Sequence, residues 1–229
     1  MNDKNILIVA AHPDDEVLGC GGTIARLTNE MKNVYVAVLG EGITSRYSQR
    51  ELADVSTLET LRNSSKRVSE LLGVKELFLY DLPDNRFDTT PLLDIVKIIE
   101  ALISKVKPST IFTHHGGDLN IDHSIIHRAT LTAARPISGH CVKKVYSYEV
   151  PSSTEWAFSQ FNNGFRPNVF FDISGTLEEK IEAMAIYESE ARTFPHPRSP
   201  EALRALAKRW GVAAGLEAAE AFELIREIR

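Results

Sequence analysis

The 229 residues are enough for one α/β domain with a full hydrophobic core and a C-terminal elaboration. With 43% hydrophobic and 25% charged residues, the composition is that of a soluble globular protein, and the formal net charge of −5 argues against a nucleic-acid partner because no basic excess exists to neutralise phosphates. No apolar run approaches the ~20 residues of a membrane span, no signal peptide precedes the first apolar run, and two cysteines give no disulfide framework. We therefore expect a cytoplasmic protein.

Apolar runs typical of strands alternate along the chain with patterns typical of helices. The predicted strands are Asn5–Ala11, Val34–Leu39, Glu76–Tyr80, Ser109–Thr113 and Lys143–Tyr148, and the predicted helices are Leu18–Asn29, Leu58–Leu72, Leu92–Val106 and His123–Ala134. This alternation predicts a parallel sheet with helices on both faces. If the strand order is 3-2-1-4-5, the functional crevice opens at the carboxyl ends of strands 1 and 4.

The character of the sequence changes after Val150. A loop with a turn at Asn162-Asn163-Gly164 is followed by a predicted strand, Pro167–Ile173, and two predicted helices, Leu177–Ala191 and Glu201–Arg209. Three prolines in the segment Phe194–Pro200 exclude regular structure there. The segment Glu217–Arg229 has helical propensity but also alternates like an edge strand, and both interpretations stay open.

The pentapeptide His12-Pro13-Asp14-Asp15-Glu16 follows the first predicted strand directly. Three acids this close raise one another's pKa values unless a cation or a shared proton relieves the repulsion. A divalent metal is the simplest relief, because imidazole and carboxylate are ordinary ligands and a neighbouring acid stays free to handle protons.

Two other interpretations explain the pentapeptide less well. Gly19-Cys20-Gly21-Gly22 could suggest a dinucleotide-binding loop, but that motif begins immediately after the strand, where here the carboxylates would repel a pyrophosphate. These glycines fit close helix–strand packing better. Helix capping by Asp14 or Asp15 accounts for one acid and not for the whole unit.

A second polar loop, Thr113–His123, follows the fourth predicted strand. Adjacent side chains at a strand end point in opposite directions, so we expect at most one of His114 and His115 in a site. His123 and His127 are four residues apart on a predicted helix, and His127 is expected to be structural. Strands 1 and 4 flank the predicted crevice, so the two polar loops should meet there.

Together the two motifs resemble the LmbE-like, or PIG-L-type, metal-dependent deacetylases. The resemblance also covers Gly40-Glu41-Gly42, Leu82-Pro83-Asp84 and the segment from Lys180 to Tyr187-Glu188-Ser189. It implies a Rossmann-like three-layer α/β/α fold with a mostly parallel sheet, in which residues 1–150 form the core and 151–229 a C-terminal α/β elaboration of a single deacetylase domain. It further implies zinc as cofactor, an amino-sugar substrate and, as in many relatives, a homo-oligomer.

The resemblance assigns roles to residues that match the family motifs. His12, Asp15 and His123 match the metal ligands, and Asp14 matches the general base that activates the attacking water and later protonates the leaving amine. Some relatives carry a histidine at the position of Asn120 that is thought to stabilise the tetrahedral oxyanion, and an asparagine can donate only a neutral hydrogen bond there. Zinc fits the expected ligands, although Fe, Co, Ni or Mn could also occupy them.

The remaining expectations concern the surroundings of these ligands. Asp122 is expected with Asp14 and Asn120 among the catalytic residues, and both Asp118 and Asp122 could orient a ligand imidazole or simply be turn and cap acids. The expected substrate-binding residues are Arg46, Asp84, Arg86, Asp118 and Arg198. Trp156 and Phe158 could form a lid that stacks on a sugar ring, with core packing as the safer interpretation.

The function expected from the sequence is zinc-dependent removal of the N-acetyl group from an N-acetylglucosamine-type sugar or sugar conjugate. Two alternatives stay open: an amidase that acts on a larger sugar or thiol conjugate, and a non-catalytic metal- or sugar-binding domain.

Overall fold

The computed structural model describes residues 4–161 and 164–229. The strands are β1 Asn5–Ala10, β2 Asn33–Gly40, β3 Glu76–Leu82, β4 Thr110–His114, β5 Lys144–Tyr148, β6 Val169–Asp172 and β7 Ala219–Glu227. The helices are α1 Asp15–Asn29, α2 Val55–Leu71, α3 Leu92–Val106, α4 Ile121–Ala133, α5 Leu177–Ile186 and α6 Pro200–Ala214. No helix within the two described ranges is long and apolar enough to cross a membrane.

The strands form one sheet in the order β3-β2-β1-β4-β5-β7-β6. The first five are parallel, whereas β7 runs antiparallel to both β5 and β6. The predicted three-layer fold with a mostly parallel sheet is confirmed, including the order 3-2-1-4-5 of its first five strands. The loops that follow β1 and β4 therefore lie side by side at the carboxyl edge.

Helices cover both faces of this sheet, and the sheet separates the core into two clusters. Ile6, Ile8 and Ala10 of β1 pack in the cluster with α1, α2, α5 and α6, whereas Leu7 and Val9 pack in the cluster with α3 and α4. A strand buried on both faces needs a continuous apolar run, which is what β1 has.

Several boundaries differ from the predictions. Helix α1 begins at Asp15 rather than Leu18, which places two acids in the first turn, where the helix dipole favours negative charge. Helix α5 ends at Ile186 rather than Ala191, and α6 continues to Ala214. The predicted turn at Asn162-Asn163-Gly164 has its first two residues outside the described chain.

The ambiguous C-terminal segment is the strand β7, but the expectation of an edge strand is wrong. It lies between β5 and β6, and its Phe222 is fully buried. Helical propensity is overridden here because a strand at this position gains hydrogen-bond ladders with both β5 and β6, and its Phe222 packs in the core cluster that contains α1.

The glycines after the pentapeptide serve packing, as expected. A Cβ built on Gly19 would lie 2.2 Å from the ring of Tyr148, and one on Gly22 would lie 2.9 Å from Ile173. Only residues without a side chain let α1 approach the sheet this closely.

Candidate functional site

The end of β1 delivers three polar side chains into one buried turn. The Oδ2 of Asp15 accepts a hydrogen bond from the backbone N–H of His12 at 2.8 Å. Asp14 occupies the N-cap of α1 with a φ of 105°, a left-handed conformation that is uncommon for a residue with a side chain, and its carboxylate makes no capping bond. The interpretation of Asp14 as a helix cap requires such a bond, so capping does not explain the left-handed backbone of Asp14.

Helix α4 brings His123 to the same point from the far side of the crevice. The Nε2 of His123 lies 3.3 Å from Asp15 Oδ2, and the Nδ1 of His12 lies 3.4 Å from the same oxygen. Each residue offers one ligand atom within 4.8 Å of the others. All three are nine-tenths or more buried, so they could hold a cation shielded from water.

A carboxylate lies behind each imidazole. Asp122 Oδ2 is 2.9 Å from His12 Nε2, and Asp118 Oδ1 is 3.2 Å from His123 Nδ1. Histidines that bind metals usually place their second ring nitrogen against such a partner, which fixes the orientation of the ring. The other ring nitrogens, Nδ1 of His12 and Nε2 of His123, face Asp15.

The electrostatics of this cluster favour a positive charge. Burial opposes the charged form of His123, yet Asp15 and Asp118 outweigh it and raise its pKa to about 9. The Nε2 of His123 is buried and has no hydrogen-bond partner among the described residues. An orphaned nitrogen in a negative field is a good fit for a divalent cation, and the donor set of two imidazoles and one carboxylate suits zinc.

Asp14 projects into a cavity of about 490 Å³ in front of the cluster. Its Oδ2 accepts a hydrogen bond from Arg198 Nη1 at 2.8 Å. Burial raises the pKa of Asp14 well above its ordinary value, and the charge of Arg198 opposes that rise. The cavity is also lined by the ligand-type residues and by Arg46, Asp84, Asn120 and Glu190.

Glu190 is a site residue that the sequence analysis missed. It is 5% exposed, and its Oε2 accepts from Arg46 Nη2 at 2.5 Å and from Arg198 Nη1 at 3.0 Å. It lies within the predicted helix Leu177–Ala191, where an acid is normally on a solvated face. Because α5 ends four residues earlier, the chain turns and carries Glu190 inward.

Glu16, which the sequence left open between an acid at the helix start and a residue that supports the site, contacts the backbone of Asp14. Its Oε1 accepts a hydrogen bond from the Tyr187 hydroxyl at 2.6 Å, and its Oε2 accepts from the backbone N–H of Asp14 at 3.1 Å. Burial raises the pKa of Glu16 to about 7. The left-handed backbone of Asp14 is therefore held by a carboxyl group on the same turn.

Several predicted site residues lie apart from the cavity. Arg86 is exposed and does not line it, and the expectation that Arg86 binds substrate stays a prediction. Asp118 does not line the cavity either: Ser153 and Thr154 donate hydrogen bonds to it, and it contacts His123. These contacts fit the expectation that Asp118 orients the ring of His123, and its expected contact with substrate stays a prediction.

Asp122 is fully buried and hydrogen-bonded to other parts of the chain. Its two oxygens accept from the backbone N–H groups of Asn85 at 2.7 Å and Phe87 at 3.0 Å, in addition to facing His12. Asp122 therefore contacts the imidazole of His12 and does not line the cavity, and its expected catalytic role stays a prediction. Asn120 does line the cavity, and its Oδ1 caps α4 by accepting from the Asp122 N–H at 2.9 Å.

The neighbouring histidines separate as the strand geometry predicts. His114 points towards the site and stacks on His123 with ring centroids 4.0 Å apart, but its Nε2 already accepts from the backbone N–H of Ala11 at 2.8 Å. His115 points away and contacts Glu223 through Nδ1 at 2.9 Å. His127 bonds the carbonyl of His114 through Nδ1 at 2.8 Å, a structural contact.

Neither aromatic residue of the predicted lid packs in the core. Trp156 is 40% exposed and lines the cavity, whereas Phe158 is 75% exposed and does not. The interpretation as core residues is wrong for both, because the segment that carries them runs over the surface between β5 and β6.

Comparison with known proteins places this site in a family. A model described as PIG-L, GlcNAc-PI de-N-acetylase, matches residues 7–134. A probable N-acetyl-alpha-D-glucosaminyl L-malate deacetylase 2 of Bacillus cereus is 26% identical over 197 residues, which cover 84% of this chain and 86% of the relative.

Solved structures share the fold over almost the whole chain. An N,N'-diacetylchitobiose deacetylase of Pyrococcus horikoshii is 19% identical with a TM-score of 0.77, covering 99% of this chain and 86% of its own. A 4-carboxy-2-hydroxymuconate hydratase of Pseudomonas putida is 20% identical, also with a TM-score of 0.77, covering 99% and 98%. The fold therefore carries more than one reaction, and the family is decided by the sequence match over more than half of the chain: this protein belongs to the PIG-L family.

Proposed function

We propose that the protein is a zinc-dependent hydrolase that removes the acetyl group from an N-acetylglucosamine-type sugar or sugar conjugate, releasing acetate and the free amine. The observation that carries the proposal is the convergence of His12, Asp15 and His123 around a buried acid, Asp14, that faces the cavity without capping its helix. The deacetylase relatives support the same reaction class.

His12, Asp15 and His123 would hold the metal. When bound, zinc supplies a Lewis acid that polarises the amide carbonyl and makes water a better nucleophile near neutral pH. The carboxylates Asp122 and Asp118 hold the two imidazoles in position, so that the ligand atoms are preorganised before any ion binds.

Asp14 is suited to move the proton. Its carboxylate takes a proton as a water oxygen attacks the acetyl carbon, and it returns that proton to the sugar nitrogen as the C–N bond breaks. Arg198 holds one oxygen of this carboxylate, and Glu16 holds the backbone of Asp14, so that the group has one orientation.

Asn120 is the candidate for stabilising the oxyanion. Its Oδ1 is committed to capping α4, which leaves the Nδ2 group as the donor in a residue that lines the cavity. A neutral donor stabilises an oxyanion less than an imidazolium would.

The test is Asp14→Asn in protein reconstituted with zinc. The amide keeps the shape of the side chain but cannot accept the proton, so we expect kcat for N-acetylglucosamine derivatives to fall roughly 10²- to 10⁴-fold while the zinc content measured by mass spectrometry is unchanged. Asp88→Asn, at an exposed acid outside the cavity, is the matched control and should keep full activity.

Full turnover in the Asp14→Asn variant would contradict the assigned role of Asp14. Tight sugar binding without acetate release in the zinc-loaded wild type would instead favour a non-catalytic binding domain. Preference for bulkier amides over acetyl groups would favour the broader amidase.

A further inference from the structure

Three large apolar side chains are exposed at the mouth of the cavity. Trp156, Leu119 and Ile121 are 40%, 47% and 46% exposed, and all three line the cavity. Isolated exposed apolar residues are common, but three that line one polar cavity mark a place that a ligand covers.

Trp156 is held firmly in this position. The preceding Ser153 and Thr154 donate hydrogen bonds to Asp118, the carboxylate behind His123, and the following Ala157 is buried. The indole ring makes an edge contact with His196, with centroids 5.6 Å apart. The apolar platform is thus tied to the carboxylate that orients a candidate metal ligand, at a fixed place relative to the reaction.

The cations of the cavity are already paired. Arg198 bonds Asp14 and Glu190, and Arg46 bonds Glu190. The lining contains four carboxylates, on Asp14, Asp15, Asp84 and Glu190, against these two guanidinium groups. A divalent metal ion would bring the formal charge of these groups to zero, so a substrate with an added phosphate or carboxylate would meet no charge that favours it.

The cavity also offers uncharged polar groups. Ser45, Asn85 and Ser152 line the same cavity, and Asn85 Nδ2 bonds Ser45 Oγ at 3.2 Å. A cavity that combines hydroxyl and amide groups with an indole matches a sugar ring, which has an apolar C–H face and a polar edge, better than it matches a lipid chain.

We propose that the group attached to the acetylated sugar is an uncharged second sugar ring that stacks on Trp156. The proposal rests on the proposed deacetylase function and names the carrier that this site selects. It makes Trp156 the residue that determines specificity, through the contact of its indole with the second ring.

The test compares three substrates with the zinc-loaded protein: N-acetylglucosamine, N,N'-diacetylchitobiose and N-acetylglucosamine 1-phosphate. We expect kcat/KM for the neutral disaccharide to exceed that for each of the other two by about tenfold, the size of a good aromatic contact. Trp156→Ala should abolish the ratio between disaccharide and monosaccharide, whereas Trp156→Phe should restore part of it. Phe158 lies two residues after Trp156, is exposed and does not line the cavity, so Phe158→Ala should leave the ratio unchanged.

The outcomes separate this inference from the function on which it depends. Turnover of the monosaccharide with no preference for the disaccharide, or a preference for the phosphate, overturns the second-ring subsite alone. Absence of acetate release from all three substrates overturns the proposed deacetylase function and the subsite with it. A ratio that survives in Trp156→Ala, with a circular dichroism spectrum like that of the wild type, removes the role of Trp156.

Discussion

The carboxyl group of the half-buried Glu149 should make the stability of this protein depend on pH. Burial raises its pKa from the usual 4.5 to about 7, and the hydrogen bond that Trp210 donates to Glu149 opposes this rise. The folded state therefore holds a proton that the unfolded chain has lost between pH 4.5 and 7. The contribution of Glu149 to stability is fully present below pH 4.5 and is lost as pH rises through 7.

The size of the effect follows from the pKa difference. A pKa that rises from 4.5 to about 7 corresponds to roughly 3 kcal/mol, because a tenfold change in proton affinity is about 1.4 kcal/mol. Glu149→Gln keeps an acceptor for the Trp210 N–H and cannot ionise, so the variant lacks this pH dependence. We expect the free energy of unfolding of the variant, relative to the wild type, to rise by up to about 3 kcal/mol between pH 4.5 and pH 8.

Urea titrations of both proteins across this range, followed by tryptophan fluorescence, measure the difference. Groups common to the two proteins cancel in the comparison, which isolates Glu149. Glu217→Gln, at an exposed acid, provides the control and should run parallel to the wild type. A difference between Glu149→Gln and the wild type that stays constant with pH would refute the argument from burial.

Three further substitutions test individual contacts. Tyr187→Phe removes the hydroxyl that bonds the buried Glu16, so urea unfolding should show a loss of about 1–3 kcal/mol, and an unchanged midpoint would argue against this bond. Asp122→Asn weakens the support of His12 and should lower zinc affinity roughly 10- to 100-fold in competition with a chelator, with equal affinity as the contrary result. Asp54→Ala removes the side chain that accepts a hydrogen bond from the Ser56 N–H at the start of α2. Thermal unfolding should show a free energy of unfolding lower by about 1 kcal/mol, and an unchanged value would show that this bond does not stabilise the helix.

The shared fold of a deacetylase and a hydratase shows why the site has to be argued from its residues. Both neighbours cover 99% of this chain, so their backbones alone do not distinguish the two reactions. The functional assignment depends instead on the buried acid Asp14 and the cluster of His12, Asp15 and His123 beside it.

Local patterns in the sequence were sufficient for the core of the fold. A continuous apolar run as short as that of β1 favours a strand buried on both faces, and the alternation with helices leads to a parallel sheet whose carboxyl edge carries the polar loops. Two separate motifs could therefore be placed at one crevice. The C-terminal segment was ambiguous because β7 carries helix-forming residues, and its position inside the sheet depends on partners distant in the chain.

The sequence by itself determined where chemistry is concentrated: the residue types of the pentapeptide and the loop after β4 already indicated a metal and a proton acceptor. Only the tertiary structure decided how the surrounding charges are paired. Glu190 meets Arg46 across 144 positions of the chain, and Arg198 meets Asp14 across 184. Such pairs leave no local periodicity, because they form only when the fold encloses distant segments in one low-dielectric cavity, where an unpaired charge would be costly.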